Sequence, residues 1–226
     1  MLVYNEKQSV SIEADSNLQE AILTELKDGA LIIRTSDNIG RNKSLKVHIK
    51  VNRHLKGMYA YNNAKVTSNN LLLIDSLTLF AFDNVDVDLK LNSKMIHING
   101  KKSSKLDLSL LSDEVFIRSE EYCSINATID TRDIKINTFE KAVLSVSGTT
   151  DHLEINALDD ATYKGIDFIS ATAIIKASDN TNIYAHVTEK LELYSNNSSE
   201  IHLFSDPEII IHEFKDKAII RKKELH

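Results

Sequence analysis

The chain has 226 residues, 42% of them hydrophobic, which is enough to bury a sizeable core in one domain or in two small ones. Its net charge of −6 is spread along the sequence, which argues against a dedicated nucleic-acid surface with clustered basic residues. The single cysteine, Cys123, excludes an intramolecular disulfide, and no apolar run approaches the roughly 18 residues that a membrane span needs.

The N-terminal stretch MLVYNEKQSV carries no secretion signal, since it lacks a basic start and an apolar centre. Leu2–Tyr4 instead has the pattern of the end of a strand. We therefore expect the chain to be cut from a longer precursor whose signal peptide it does not include.

Segment 1–70 is predicted to form irregular coils and a hairpin. Ile22–Ile33 alternates on both sides of Asp28-Gly29, a dipeptide that favours a tight hairpin turn. Ser44–Val51 is a clean alternating strand. Lys56–Asn70 keeps the alternation of polar and apolar residues but loses the register of the following repeats, so we expect a longer coil there.

Segment 71–208 is repetitive, and equivalent positions recur about every 19 residues. Each repeat has two short runs in which apolar and polar residues alternate, the pattern of half-buried strands. The last two repeats, near Ala173 and Leu191, keep the pattern with spacings of 20 and 18. The equivalent apolar residues form four sets: Leu77, Ile96, Val115, Ile134 and Leu153; Leu79, Ile98, Ile117, Ile136 and Ile155; Val87, Leu106, Ile125 and Leu144; and Leu89, Leu108, Ala127 and Val146.

Stacked repeats of this kind form a solenoid, because one repeat cannot bury its apolar face alone. Equivalent residues then lie about 4.8 Å apart in ladders. Two strands per coil fit the doublets of inward positions better than a left-handed hexapeptide helix, which needs an apolar residue at every sixth position. A sandwich of hairpins is the rival fold, but it would not require strict register and would use more turn glycines.

A polar pair marks one corner of each repeat, where tight turns need residues that tolerate positive φ. The column that follows the corner is mostly small and has inward parity, so we place it inside a narrow bend and expect Cys123 to be buried and unreactive. The predicted corner pairs are Asp83-Asn84, Lys102-Ser103, Glu121-Tyr122, Glu140-Lys141, Asp159-Asp160, Asp179-Asn180 and Asn196-Asn197. The small column is Val85, Ser104, Cys123, Ala142 and Ala161.

The C-terminal segment 209–226 is predicted to be a cap and a tail. Pro207 closes the regular series, and Ile209–Ile211 and Ala218–Ile220 have the pattern of a last strand pair that covers the open end. The sequence thus predicts one all-β domain over residues 1–226, a right-handed parallel β-helix that is capped at its ends.

The segment Leu153–Ile209 resembles the head GIN domain family, bacterial proteins described as auto-transporter adhesins. The resemblance rests on the link Val187–Leu191 and the closing Ser205–Pro207, and it extends to "DGALIIR" and "SLKVHIKV" in the N-terminal half. It implies a β-helix similar to pectin-lyase-like proteins, an extracytoplasmic location, and no assigned catalytic residues. The Gly-Ser-Gly corners of the family are replaced here by Asp, Asn, Lys and Glu, and only Ser147-Gly148 resembles one.

The sequence shows no catalytic, metal-binding or cofactor-binding motif: no glycine-rich phosphate loop and no nucleophile elbow. Five histidines occupy outward positions without the spacing of metal ligands and are interpreted as surface residues. They are His97, His152, His186, His202 and His212.

One acidic row is a candidate enzyme site. Asp86, Asp88 and Asp107 should share an outer face, near Lys90 and Lys105. Pectate-lyase-like enzymes hold calcium with stacked carboxylates and use a basic residue to take a proton. The next residues in the row are an asparagine and a serine, however, and the solvated face of a solenoid is polar in any case.

The sequence favours a non-catalytic binding or adhesion module whose flat faces contact a polysaccharide, a cell-surface protein or a second copy of itself. A carbohydrate-active enzyme and a structural solenoid that stacks end to end are the alternatives. An aromatic platform would favour glycan binding, but the aromatic residues are scattered along the sequence. They are Tyr59, Tyr61, Phe80, Phe82, Phe116 and Tyr122.

Overall fold

A computed structural model describes residues 1–15, 21–36 and 45–224 of the chain. The described residues form strands and turns, and they include no helix long and apolar enough to cross a membrane. The N-terminal strands are β1 (Leu2–Tyr4), β2 (Ser9–Ala14), β3 (Ile22–Lys27), β4 (Ala30–Thr35), β5 (Leu45–Val51), β6 (Gly57–Tyr61), β7 (Lys65–Thr67) and β8 (Leu72–Leu73).

The rest of the described chain is a stack of parallel strands. Each coil pairs with the next at roughly a 19-residue spacing, which gives a β-solenoid of about nine turns and confirms the predicted fold. The strands are β9 (Ser76–Phe82), β10 (Asp86–Lys101), β11 (Lys105–Ser119), β12 (Ser124–Thr138), β13 (Val143–Ala157), β14 (Thr162–Ala177), β15 (Asn182–Ser195), β16 (Glu200–Leu203), β17 (Glu208–Phe214) and β18 (Ile219–Lys222).

The predicted ladders line the core. Register runs from Leu89 through Leu108 to Ala127, and each of these side chains is at most 6% exposed. Cys123 is fully buried in the small column beside the corner, and burial raises the pKa of its thiol to about 12. The alternation of apolar and polar residues therefore determines both the register and the inward face.

Each regular coil is one continuous strand of 14 to 16 residues that bends in the middle. The two predicted short strands are its two arms; in β10 the first arm is 86–92 and the second arm is 95–101. The bend is held by a hydroxyl that donates to the carbonyl two residues on, as Ser93 does to Met95 at 3.1 Å and Ser112 does to Glu114 at 3.0 Å. Sequence reasoning missed this second corner because it contains no glycine, proline or left-handed residue.

The other corner is a pair of left-handed residues, as predicted. Six of the seven predicted pairs have φ between 48° and 64°. The seventh pair was predicted at Asn196-Asn197 but lies one position later, at Asn197-Ser198. This coil has 18 residues, so Asn182 pairs with Glu200 and Asn197-Ser198 stacks on Asp179-Asn180. Left-handed pairs also stand at each end of the stack, at Asn62-Asn63 and Asp216-Lys217.

Ser147-Gly148 lies within the first arm of β13 and not at a corner, contrary to the resemblance to a Gly-Ser-Gly turn. Gly148 has φ of 113°, and a Cβ there would lie 2.1 Å from the Ile129 carbonyl oxygen. The next coil has a register shift at this point, and Phe168 fills the ladder position beside the glycine.

The N-terminal predictions are confirmed where the structure describes them. β3 and β4 form the hairpin around Asp28-Gly29, and β5 is the predicted strand, although Ser44 lies outside the described residues. β5 lies between β1 and β2, and a bridge from Leu2 to Ser68 joins this sheet to the solenoid. The coil before β9 is longer, since β6 and β7 pair with residues two positions further ahead than in the regular repeats.

The C-terminal segment does not cover the end of the stack, so that prediction was wrong. β17 and β18 pair in parallel with β15 and β16 and continue the solenoid as one more coil. Ile209 and Ile211 occupy inward positions and are 41% and 52% exposed, because no described residue packs against them from outside. In the sequence, the isoleucines of a capping strand pair have the same pattern as the inward residues of one more coil.

Candidate binding surface

The outer face of the first arms is polar and hydrogen-bonded along the stack. The Asn126 amide donates to Asp107 at 3.2 Å, and Thr149 donates to Asp130 at 3.0 Å. The hydroxyls of Thr128 and Ser147 lie 3.1 Å apart. The polar side chains of these rows satisfy one another's hydrogen bonds and leave a hydrated face.

The outer face of the second arms contains a groove of about 580 Å³. It crosses six coils, from Met95 and His97 in β10 to Lys190 and Glu192 at the C-terminal side. Five coil spacings make it about 24 Å long. Its apolar part includes Ile174, which is 37% exposed. An open groove of this length suits an extended ligand better than a compact one.

Charged residues in the groove pair with one another. Lys135 donates to Glu154 at 2.9 Å, and Lys190 donates to Glu192 at 2.7 Å. Burial opposes ionisation of Glu154, but Lys135 and neighbouring donors outweigh it, so its pKa lies below the usual value. Lys190, with His212, also lowers the pKa of Glu192. Both groups are thus carboxylates that accept hydrogen bonds, and neither is poised to donate a proton near neutral pH.

Four aromatic rings form a cluster at the N-terminal end of the same face. Tyr59 stacks on Phe80 with ring centroids 4.9 Å apart, and Tyr61 stacks on Phe82 at 5.7 Å. Phe80 and Phe82 are 6.0 Å apart with nearly parallel rings. The interpretation of these four residues as scattered was wrong. The sequence feature that marks the cluster is the pair of tripeptides Tyr-Ala-Tyr and Phe-Ala-Phe. The two tripeptides are further apart than the regular period of the repeat, so the repeat pattern did not align them.

The Tyr59 ring leans along its own strand toward the groove. A Cβ at Gly57 would lie 2.9 Å from the ring, so the glycine leaves the space that the ring occupies. Tyr59 is 62% exposed and Tyr61 is 50% exposed, so the outermost rings of both stacks are open to solvent. Gly57 precedes His97 by two coils in the same row, so the two tyrosines lie about 10 Å along the stack from the groove, and Phe80 and Phe82, one coil nearer, lie about 5 Å from it.

The remaining aromatic residues of interest lie apart from the cluster. Phe116 lines the groove and contacts His97 at a centroid distance of 5.6 Å. Tyr122 lies at a corner, where the Lys141 ammonium is 5.7 Å from its ring centroid. Tyr122 is 62% exposed, as Tyr59 is, but it belongs to neither surface feature.

The acidic row that the sequence offers as a candidate enzyme site does not form a metal centre. Asp88 and Asp107 are neighbours in adjacent coils, but the register neighbour of Asp86 is Lys105, and the Asn126 amide donates to Asp107. Lys90 follows in the same first arm, next to Ser109 of the adjacent coil. Across residues 1–15, 21–36 and 45–224 no three His, Cys, Asp or Glu side chains come together as metal ligands.

Four of the five histidines are exposed or half-buried on outer faces, but His202 is buried, which corrects its assignment to the surface. His202 is 8% exposed, because its ring stacks on Tyr184 of the preceding coil at 4.4 Å. Its Nε2 lies 3.2 Å from the Glu200 carboxylate, and its Nδ1 has no hydrogen-bond partner in the described part of the chain. Burial outweighs the opposite effect of Glu200 and lowers the pKa of His202.

The sequence profile of one family, described as "Putative auto-transporter adhesin, head GIN domain", matches residues 2–207. The chain belongs to the head GIN domain family. The description of the family indicates adhesion to surfaces and an extracytoplasmic location for its members. No curated protein matches the sequence.

Solved structures share the fold of this head GIN domain at low identity. A "putative adhesin" from Parabacteroides distasonis ATCC 8503 is 17% identical with a TM-score of 0.67, over 99% of this chain and 88% of that one. A "putative adhesin" from Parabacteroides merdae ATCC 43184 is 16% identical with a TM-score of 0.63, over 98% and 88%. A "Putative lipid binding protein" from P. distasonis ATCC 8503 is 17% identical with a TM-score of 0.66, over 100% and 88%.

Proposed function

We propose that this head GIN domain is a non-catalytic, extracytoplasmic adhesion module that binds an extended polysaccharide along its second-arm face. The observation that carries the proposal is the groove across six coils, with the aromatic cluster at its N-terminal end. A polymer can contact every coil at the same spacing, whereas the groove offers no enclosed pocket for a small metabolite.

The chemistry of the face supports a sugar polymer. Exposed aromatic rings such as Tyr59 and Tyr61 offer apolar surface to a pyranose ring together with a polar hydroxyl at the edge. Glu154, Glu192 and Lys135 offer charged hydrogen-bond partners to hydroxyl groups. Ile174 adds apolar contact between them.

The same geometry argues for binding without catalysis. Glycoside hydrolases pair a carboxylate with a carboxylic acid whose pKa is raised. In this groove the pKa values of Glu154 and Glu192 are shifted downward by their cationic neighbours. The row of Asp88 and Asp107, which was the alternative enzyme site, lies on the first-arm face, outside the groove.

Each contact on an open face is weak, so adhesion requires many copies that act together. The test compares soluble domain with bead-coupled domain on a glycan array and on matrix proteins. Binding of the beads to long glycans, with much weaker binding of the soluble domain, is expected. Beads that bind nothing, or a small metabolite that strongly raises the melting temperature, would refute the proposal.

A tyrosine pair tests which surface is used. Tyr59→Ala removes the outermost ring of the aromatic cluster and should reduce glycan binding by the beads. Tyr122→Ala removes a ring of equal exposure at a corner and should leave binding unchanged. Equal effects of the two substitutions would show that the cluster has no special part in binding.

A further inference from the structure

The lysines that line the second-arm groove are both held by carboxylates of the same groove. Among the described residues that line it there are two lysines, Lys135 and Lys190, and no arginine. The Lys135 ammonium is 2.9 Å from the Glu154 carboxylate, and the Lys190 ammonium is 2.7 Å from the Glu192 carboxylate. The hydrogen bond to Glu192 raises the pKa of Lys190, so this lysine stays charged while it is paired.

The other two carboxylates of the groove are paired with a cation at its edge. Arg132 donates from Nε to Asp133 at 2.6 Å, and its Nη2 lies 3.7 Å from Glu114. Lys176, also at the edge, lies 4.0 Å from Glu154 as a second cationic neighbour. Four carboxylates thus face four Lys and Arg side chains along the groove, and each of these cations lies within 4.0 Å of a carboxylate.

A polysaccharide with carboxylate or sulfate groups would therefore find no free lysine or arginine in the groove. To form an ion pair it would have to displace Glu154 from Lys135 or Glu192 from Lys190. The displaced carboxylate would then lie unpaired beside a second negative charge, and such like-charge contacts disfavour binding. The net charge of −6 on the chain adds a repulsion that extends over on the order of 10 Å at about 0.1 M salt.

An uncharged polysaccharide can bind without breaking these ion pairs. Lys135 and Asn156 both donate to Oε1 of Glu154, which leaves Oε2 of this half-exposed carboxylate available to accept from a sugar hydroxyl. The Lys135 ammonium has three hydrogens and can donate to a second hydroxyl while it keeps Glu154 as its partner. Hydrogen bonds to charged groups are stronger than those between neutral groups, so paired charges still bind hydroxyls well.

We propose that the second-arm groove selects uncharged polysaccharides over polyanionic ones, and that Glu154 and Glu192 set this preference by neutralising Lys135 and Lys190. The inference rests on the proposed function, because it specifies the class of polysaccharide that the groove binds. Glu154 is the central residue, since it lies fourth in the row of six outward residues that crosses the groove and has two lysines as neighbours.

Binding of bead-coupled domain to derivatives of one polysaccharide backbone tests the preference. Neutral polysaccharides are compared with their carboxymethyl derivatives, which are anionic, and with hydroxyethyl derivatives of the same low degree of substitution, which control for bulk. The hydroxyethyl form should bind at least several-fold better than the carboxymethyl form. Equal binding of the two forms, or stronger binding of the carboxymethyl form, would overturn this inference alone. Beads that bind none of the polysaccharides would refute the proposed function and this inference with it.

A pair of charge-removing substitutions tests the role of the ion pairs. Glu154→Gln frees Lys135 and Lys176 and should increase binding to the carboxymethyl form several-fold, and the gain should disappear at about 1 M salt, where charges are screened within about 3 Å. Glu200→Gln is the matched control, because Glu200 pairs with Arg221 on the first arm and its side chain is 27% exposed, compared with 29% for Glu154.

The control changes the net charge by the same amount outside the groove, so it should not increase binding to the carboxymethyl form. Equal gains in Glu154→Gln and Glu200→Gln would show that net charge sets the preference, and no gain in Glu154→Gln would show that its ion pairs have no part in it. Either result would overturn the proposal. Melting temperatures of both variants show that the domain remains folded.

Discussion

Gly100 and Cys123 lie against each other across adjacent coils, so the space for a side chain at position 100 depends on the size of the side chain at position 123. A Cβ at Gly100 would lie 2.5 Å from the Cys123 sulfur, although the glycine has an ordinary strand conformation. Gly100→Ala should therefore destabilise the domain by about 1–3 kcal/mol through overpacking. Thermal or urea unfolding measures this loss.

A second substitution provides the control. In a Cys123→Ala background the sulfur is gone, and Gly100→Ala should then be neutral or slightly stabilising, since alanine lowers the entropy of the unfolded chain. The same loss in both backgrounds would mean that the two residues are not in contact.

Leu108 and Asp107 are adjacent in sequence and lie on opposite sides of the sheet. Leu108→Asp buries a carboxylate between Leu89 and Ala127 and should cost several kcal/mol or prevent folding. Asp107→Leu changes an exposed residue and should alter stability by less than about 1 kcal/mol. Thermal melts compare the two, and equal losses would contradict the register of the solenoid.

The strand register could be predicted from the sequence. Apolar and polar residues alternate with a constant period, and this pattern allows only one inward alignment of Leu108 with its equivalents in the neighbouring coils. The bends at Ser93 and Ser112 could not be predicted, since hydroxyl-to-carbonyl bonds leave no mark that distinguishes a serine at a bend from one in a strand. The groove could not be predicted either, because no motif in the sequence marks the outward side chains that line it. The prediction that Ile209 belongs to a cap was wrong, because the sequence pattern of an inward residue is the same whether or not another coil covers it.

His202 should make stability depend on pH in a window where few other groups titrate. Its pKa in the folded state lies below the value of about 6.5 expected for an unfolded chain. The unfolded state therefore binds the proton more tightly, so stability is complete above about pH 6.5 and falls as the pH drops below it. Unfolding free energies between about pH 7 and pH 5 measure the slope.

His202→Gln should reduce this pH dependence, whatever its effect on stability at pH 7. His212→Gln is the matched control, because His212 stacks on Tyr194 at 4.6 Å in the same way but is exposed. Unchanged pH dependence in His202→Gln would show that the buried histidine is not responsible.

Calcium should not stabilise the domain. Asp88 and Asp107 have no third carboxylate in their row, and the Asn126 amide already engages Asp107. Because a ligand that binds only the folded state raises the melting temperature, millimolar calcium should leave it unchanged. A clear rise that disappears in Asp88→Ala would revive the enzyme alternative for the first-arm face.

The most direct measurement of the central claim compares two isoleucines of β14 in glycan binding by bead-coupled domain. Ile174 lines the groove and is 37% exposed, whereas Ile169 is 42% exposed on the first arm, outside the groove. Ile174→Lys should reduce binding at least several-fold, and Ile169→Lys should leave it unchanged, with equal melting temperatures. Binding that survives Ile174→Lys, or that falls equally in both variants, would contradict a ligand site on the second-arm face.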